Sequence, residues 1–153
     1  MRKRVALLGV GGVGKTTFVY RLMGISATPH VTLKPGLYRL YFKNGAVELL
    51  DVPGQHAMEV AQHAAKQMRQ LFDKAVLMYD VTRADTLYAL SEVLDSLCIY
   101  RNCLSAKEVV VVGNKRDLAE ELGYMVENSI LPHSTFYISA IRDPPENLVK
   151  IIN

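Results

Sequence analysis

Eight residues near the start of the chain have the types and spacing of a phosphate-binding loop. Residues 9–16 read Gly-Val-Gly-Gly-Val-Gly-Lys-Thr, which matches the pattern GxxxxGK[ST] in full. An apolar run at residues 5–8 precedes this phosphate loop, and a helical pattern follows from Thr17, so a strand would deliver the loop and a helix N-terminus would point N–H groups at an anion. Lys15 would then reach the β- and γ-phosphates, and the Thr16 hydroxyl would bind Mg²⁺. The motif therefore predicts a nucleoside triphosphate site.

A second motif, Asp51-Val52-Pro53-Gly54-Gln55, follows a strand-like run further along the chain. An aspartate at a strand end can hold Mg²⁺ through water, and Gly54 lets a backbone N–H approach the γ-phosphate. Gln55 can orient the water that attacks this phosphate. The pattern DxxG alone is a common turn sequence, but its place after the phosphate loop indicates triphosphate hydrolysis.

A third motif, NKxD, indicates which base is bound. A carboxylate at Asp117 can accept both the N1–H and the 2-amino group of guanine, a pair of donors that adenine lacks. Asn114 can tie this segment to the phosphate loop, and the stem of Lys115 can cover the purine face. Ser139 and Ala140 follow the last strand-like run, where a backbone N–H could meet guanine O6. The motif therefore favours a guanine nucleotide.

The composition is that of an ordinary globular domain. The chain has 153 residues, of which 50% are hydrophobic and 22% charged, and its formal net charge is +3. We expect residues 1–153 to form a single domain, with neither nucleic acid nor a direct membrane anchor among its partners. Cys98 and Cys103 match no metal-ligand spacing, which favours reduced thiols in the cytoplasm.

Strand-like and helix-like segments alternate along the chain, which predicts a doubly wound α/β domain with ligands at the carboxyl ends of its strands. Apolar runs at 75–79 and 109–112 are typical of strands buried on both faces, and residues 37–50 predict a hairpin around Asn44. Residues 24–36 predict an exposed loop, and Asp143 is predicted to cap a short final helix. Other helices are predicted from Glu59 to Phe72, from Ala84 to Tyr100 and from Leu118 to Val126.

With these motifs in this order, the chain resembles the Ras-like small GTPases over essentially its whole length. The resemblance implies a three-layer P-loop fold with a six-stranded, mostly parallel sheet, one antiparallel edge strand and about five helices. It implies a molecular switch that binds GTP or GDP with Mg²⁺, hydrolyses GTP, and contacts protein effectors through loops near residues 25–36 and 52–70. Since intrinsic hydrolysis in such proteins is slow, it also implies a GTPase-activating protein and an exchange factor.

The same resemblance assigns individual site residues. Thr32 resembles the switch-one threonine that binds Mg²⁺ and the γ-phosphate; the spacing to Asn44 at the hairpin turn favours it over Thr28, which would need a longer strand. The implied catalytic residues are Gln55, Lys15 and Thr32. The implied Mg²⁺ ligands are Thr16, Thr32 and Asp51. The implied nucleotide-binding residues are Gly11, Gly12, Val13, Gly14, Lys15, Thr16, Thr17, Gly54, Asn114, Lys115, Asp117, Ser139 and Ala140.

Some alternatives stay open. The spacing from Thr32 to the DxxGQ motif is similar to that of the Arf, signal-recognition-particle-receptor-β and MglA branches, whereas residues 79–86 look Rab-like. The phosphate loop also echoes the MinD/ParA ATPases, but Val10 stands where those proteins carry a second lysine. Pro53 stiffens the DxxG segment. This keeps open a catalytically weak or inactive scaffold that holds guanine nucleotide as a structural ligand.

Overall fold

Strands and helices alternate throughout the part of the chain that the computed structural model describes, namely residues 2–25, 31–34, 36–43, 45–53, 72–99 and 106–153. The strands are β1 (Arg2–Gly9), β2 (Val31–Lys34), β3 (Leu37–Phe42), β4 (Gly45–Pro53), β5 (Phe72–Asp80), β6 (Ala106–Asn114) and β7 (Ser134–Tyr137). The helices are α1 (Lys15–Met23), α2 (Ala84–Ile99), α3 (Arg116–Leu122) and α4 (Pro145–Ile152). None of these described helices is long and apolar enough to cross a bilayer.

The described strands form one sheet in the order β2-β3-β4-β1-β5-β6-β7. Strand β3 is antiparallel to both of its neighbours, whereas β4, β1, β5, β6 and β7 pair in parallel. The predicted P-loop α/β fold is confirmed. The structure adds the short strand β2 within the segment predicted to be an exposed loop, so the described part of the chain contributes seven strands to the sheet. Strand β2 pairs with backbone groups of β3 that would otherwise form an open edge.

Apolar side chains cover both faces of the sheet and make the structure three layers deep. Because successive residues of a strand point to opposite faces, Leu7 packs in a cluster with Phe18 of α1 and Leu148 of α4. Its neighbour Leu8 packs on the other face with Leu90 of α2 and with α3. The helices therefore fix the sheet from both sides and leave its carboxyl edge to the loops.

Some predicted boundaries differ from the structure. Helix α3 ends at Leu122, and the next residue, Gly123, has a φ of 70°, which suits the left-handed conformation at a helix C-terminus. Beyond it, the Val126 N–H donates to the carbonyl of Val81, which draws the chain along the sheet instead of continuing the helix. Phe72 begins β5 rather than ending a helix. The remainder of that predicted helix, like Asn44 and Tyr100, lies outside the described residues.

We expect Gly113→Ala to destabilise the fold. A Cβ at Gly113 would lie 2.6 Å from Cγ1 of Val81 and 2.7 Å from Cδ1 of Tyr137. Relieving such contacts costs about 1–3 kcal/mol of the free energy of unfolding, measurable by urea unfolding followed by circular dichroism. Gly24→Ala is the matched control, because its Cβ would have no neighbour closer than 3.5 Å. Equal stability of the two variants would contradict the packing described for β6.

Candidate nucleotide-binding site

The sequence motifs converge on one edge of the sheet. The phosphate loop follows β1, Asp51 lies near the end of β4, Asp80 ends β5 and Asn114 ends β6. Because these strands are parallel, their carboxyl ends meet at the same edge. Residues from four separate stretches of the chain therefore meet there.

The phosphate loop keeps its shape through glycines that have close neighbours. Gly12 and Gly14 have φ values of 82° and 99°, which residues with a side chain rarely adopt. A Cβ at Gly14 would lie 2.2 Å from Nδ2 of Asn114, and a Cβ at Gly9 would lie 2.6 Å from the carbonyl oxygen of Met78. The loop is thus packed against the ends of β5 and β6.

The side chain of Lys15 extends from the phosphate loop to the end of β4. Its Nζ donates to the carbonyl oxygen of Val52 at 2.6 Å and lies 3.1 Å from Oδ1 of Asp51. The ion pair does not have hydrogen-bond geometry, so within the described residues the buried Oδ1 of Asp51 accepts no hydrogen bond. Thr16 is exposed in the first turn of α1. An ammonium, a hydroxyl and a carboxylate with an unused acceptor suit a phosphate and a hydrated Mg²⁺.

The side-chain amide of Asn114 joins the phosphate loop to the Ser-Ala loop (residues 139–143). Its Nδ2 donates to the carbonyl oxygen of Val13 at 2.9 Å, and its Oδ1 accepts from the Ala140 N–H at 2.9 Å. The residue is 2% exposed, so both ends of a buried amide are satisfied. The tie predicted from Asn114 to the phosphate loop is present. Since the Ala140 N–H already has an acceptor, guanine O6 would have to share it.

Lys115 makes a second link to the phosphate loop and also contacts the end of β5. Its Nζ donates to the carbonyl oxygen of Gly12 at 2.7 Å and lies 3.1 Å from Oδ2 of Asp80. Oδ1 of Asp80 accepts from the N–H and the hydroxyl of Thr82 at 2.9 and 2.6 Å. Burial raises the pKa of the Asp80 carboxyl, but the Thr82 and Lys115 hydrogen bonds outweigh it and lower the pKa below its ordinary value.

Asp117 contacts Ser139, and Asp143 supports the pair. Oδ1 of Asp117 accepts from the Ser139 hydroxyl at 2.9 Å, and the Ser139 N–H donates to Oδ2 of Asp143 at 3.0 Å. Arg116 binds the carboxylate of Asp143, with its Nη2 2.5 Å from Oδ1 of Asp143. The prediction that Asp143 caps α4 is wrong: Pro144 is the N-cap residue, and no side chain caps it. A guanidinium is a stronger partner for the carboxylate than a neutral N–H.

Part of the predicted site lies outside the described residues. Gly54, Gln55 and Thr28 fall there, as do most of the two predicted switch loops. Thr32 belongs to β2, of which only the backbone is described, with Tyr38 as its Cα partner. The roles of these residues stay predictions.

Two residues that the sequence patterns did not assign to the site support it. Arg21 of α1 donates to carbonyl oxygens of the Ser-Ala loop, up to 122 positions away, and no local pattern indicates such a pair. Asp80, in contrast, stands at the end of a buried apolar run, which is the signal that draws attention to Asp51 and Asn114.

A family model described as 50S ribosome-binding GTPase matches residues 4–115, from β1 to Lys115 of the NKxD motif. The chain belongs to this family of P-loop GTPases. The match includes the phosphate loop and the DxxGQ motif, so the predicted membership of the P-loop GTPases is confirmed.

Individual relatives within the P-loop GTPases agree with this. GTP-binding protein Di-Ras2 of Macaca fascicularis is 25% identical over 119 residues, which cover 74% of this chain and 58% of the relative. GTPase Obg of Wolbachia pipientis wMel is 28% identical over 127 residues, covering 76% of this chain and 37% of the relative. The chain thus spans less than two thirds of either relative's length. A solved structure of the FeoB G-domain from Methanococcus jannaschii has a TM-score of 0.68 at 22% identity, covering 99% of this chain and 95% of that one. At this identity the likeness shows the fold alone.

We expect Asp80→Asn to reduce the loss of the chain's unfolding free energy at acid pH. Because the pKa of Asp80 is lower in the folded chain than its ordinary 3.8, the unfolded chain binds the proton more readily. The stabilisation is therefore present above that value and is lost as the pH falls through the folded pKa.

Urea unfolding at pH values from about 5 to about 2 measures this slope. Asp85→Asn, at a carboxylate that is 68% exposed, is the matched control and should keep the wild-type slope. Identical slopes for Asp80→Asn and the wild type would contradict the role given to the Thr82 and Lys115 contacts.

Proposed function

We propose that the chain is a molecular switch that binds guanine nucleotides and hydrolyses GTP to GDP with Mg²⁺. The observation that carries the proposal is the pair of hydrogen bonds made by Asn114, one to the phosphate loop and one to the Ser-Ala loop. A single buried side chain thereby couples a loop suited to phosphates with a loop suited to a base. Membership of a P-loop GTPase family supports GTP as the nucleotide.

The base would be selected by Asp117. The Ser139 hydroxyl donates to Oδ1 of this carboxylate and so limits its rotation. A carboxylate oxygen has two lone pairs, so Asp117 can still accept from N1–H and the 2-amino group of guanine. We propose that the Ala140 N–H contacts O6 and that the Lys115 stem covers the purine.

The phosphates would be bound by the backbone N–H groups of the phosphate loop and by Lys15. On binding, the ammonium would exchange the neutral carbonyl oxygen of Val52 for charged phosphate oxygens, which are stronger acceptors. We propose that Thr16, Thr32 and Asp51 hold Mg²⁺, and the unused buried Oδ1 of Asp51 supports this. When bound, Mg²⁺ neutralises charge on the β- and γ-phosphate oxygens.

Hydrolysis would release the two switch loops. The γ-phosphate would hold Thr32 and the Gly54 N–H, and loss of that phosphate would free residues 25–36 and 52–70. Because these segments would carry the nucleotide signal, we propose that effectors bind there. We further propose one G domain over residues 1–153, acting in the cytoplasm, with slow intrinsic hydrolysis that an activating protein stimulates and an exchange factor resets.

We expect Gln55→Leu to slow GTP hydrolysis by about tenfold or more, because a leucine cannot orient the attacking water. The dissociation constant for GTP should change by less than about twofold, since Gln55 acts on water rather than on the nucleotide. Single-turnover hydrolysis measures the rate, and displacement of a fluorescent GTP analogue measures affinity.

Gln62→Leu makes the same chemical change seven positions further along the chain and serves as the control. An unchanged rate for Gln55→Leu, or an equal decrease for both variants, would refute the role assigned to Gln55.

A further inference from the structure

We infer that Arg21 is a positioning residue for guanine recognition, acting through the Ser-Ala loop and together with Arg116. Arg21 lies outside the motifs assigned to phosphate and base, and Arg116 occupies the variable position of the NKxD motif. The inference rests on the proposed guanine site and says what holds the base-selecting part of that site in place.

Arg21 binds the backbone of the Ser-Ala loop. Nη1 donates to the carbonyl oxygen of Ala140 at 2.8 Å and also to that of Ile141, while Nη2 donates to the carbonyl oxygen of Asp143 at 2.6 Å. A guanidinium offers five N–H donors in a rigid planar fork, so one side chain can satisfy several carbonyl groups at once. An ammonium cannot reproduce this geometry.

Arg116 binds the same loop through the side chain of Asp143. Nη2 lies 2.5 Å from Oδ1 of Asp143, and Nη1 donates to the carbonyl oxygen of Tyr137 at 2.9 Å. The other carboxylate oxygen of Asp143 accepts from the Ser139 N–H. Asp143 is therefore bound by Arg21 at its backbone and by Arg116 at its side chain.

These contacts are connected through Ser139 to Asp117, the carboxylate that would select the base. The Ser139 N–H is held by Asp143, and the Ser139 hydroxyl donates to Asp117. Ser139 can present its hydroxyl to Asp117 only while the loop holds its backbone in place. Displacement of a recognition group by about 1 Å is enough to lose much of its effect.

Apolar packing does little to hold the exposed part of this loop. Ile141 is 66% exposed, and the side chain of Arg142 is 62% exposed. The polar contacts of Arg21 thus act where a hydrophobic anchor is weak. Arg21 also lies on the helix that begins at Lys15, so the same rigid element serves the phosphate loop and the Ser-Ala loop.

The test compares GDP with inosine diphosphate, which lacks the 2-amino group that Asp117 would accept. In Arg21→Met, which keeps the aliphatic stem, we expect the ratio of the two dissociation constants to fall about tenfold. That is the size of one misaligned charge-assisted hydrogen bond. A role in folding alone would weaken both nucleotides equally and leave the ratio unchanged. Isothermal titration calorimetry measures both constants.

Arg142→Met is the matched control, because it makes the same substitution in the Ser-Ala loop itself but takes away a surface ion pair with Glu121. Its ratio should stay within about twofold of wild type. Arg21→Lys, which keeps the charge with fewer donors, should give an intermediate ratio, and it decides the question if Arg21→Met does not fold. An unchanged ratio in a folded Arg21 variant, or an equal fall in Arg142→Met, would overturn the inference. A wild-type protein that binds GDP no better than inosine diphosphate would instead reject the guanine site itself, and the positioning role with it.

Discussion

The buried amide of Asn114 is the interaction on which the rest of the site depends. It accepts from one loop and donates to another, and both partners are backbone groups. Without it, the carbonyl of Val13 and the N–H of Ala140 would lose their partner, and a buried group left in that state costs about 1–3 kcal/mol. The amide also explains why residue 14 is a glycine, since any side chain there would collide with Nδ2 of Asn114.

Around this amide, cations fix the loops by binding backbone carbonyl groups. Lys15 binds the end of β4, Lys115 binds the phosphate loop, and Arg21 binds the Ser-Ala loop. Irregular segments at a sheet edge lack the repeated hydrogen bonds of strands and helices, so such side chains replace them. Under the proposed function, Lys15 would also supply positive charge to the nucleotide phosphates. Lys15 would thus serve both the shape of the site and the binding of phosphate.

The sequence predicted the parts of this arrangement that local pattern controls. The phosphate loop, the NKxD motif and the buried runs of β5 and β6 are short segments, and parallel strands bring their ends together without further information. Strand β2 was not predicted, because its pairing with β3 uses backbone groups that side-chain patterns do not reveal. Asp143 has the residue type of a helix cap, yet Arg116, distant in sequence, provides a stronger partner. Arg21 contacts the Ser-Ala loop, and no pattern of residue spacing predicts that contact. Contacts between distant segments, rather than local propensity, account for these differences.

The nucleotide that leaves the purified protein on denaturation tests the central claim most directly. Ion-pair chromatography of the supernatant separates guanine from adenine nucleotides and diphosphates from triphosphates. GDP is the predicted product, because a guanine-specific site that hydrolyses GTP retains the diphosphate after turnover. Intact GTP would contradict hydrolysis and favour a scaffold that holds its nucleotide as a structural ligand. An adenine nucleotide would contradict the role of Asp117 in selecting the base.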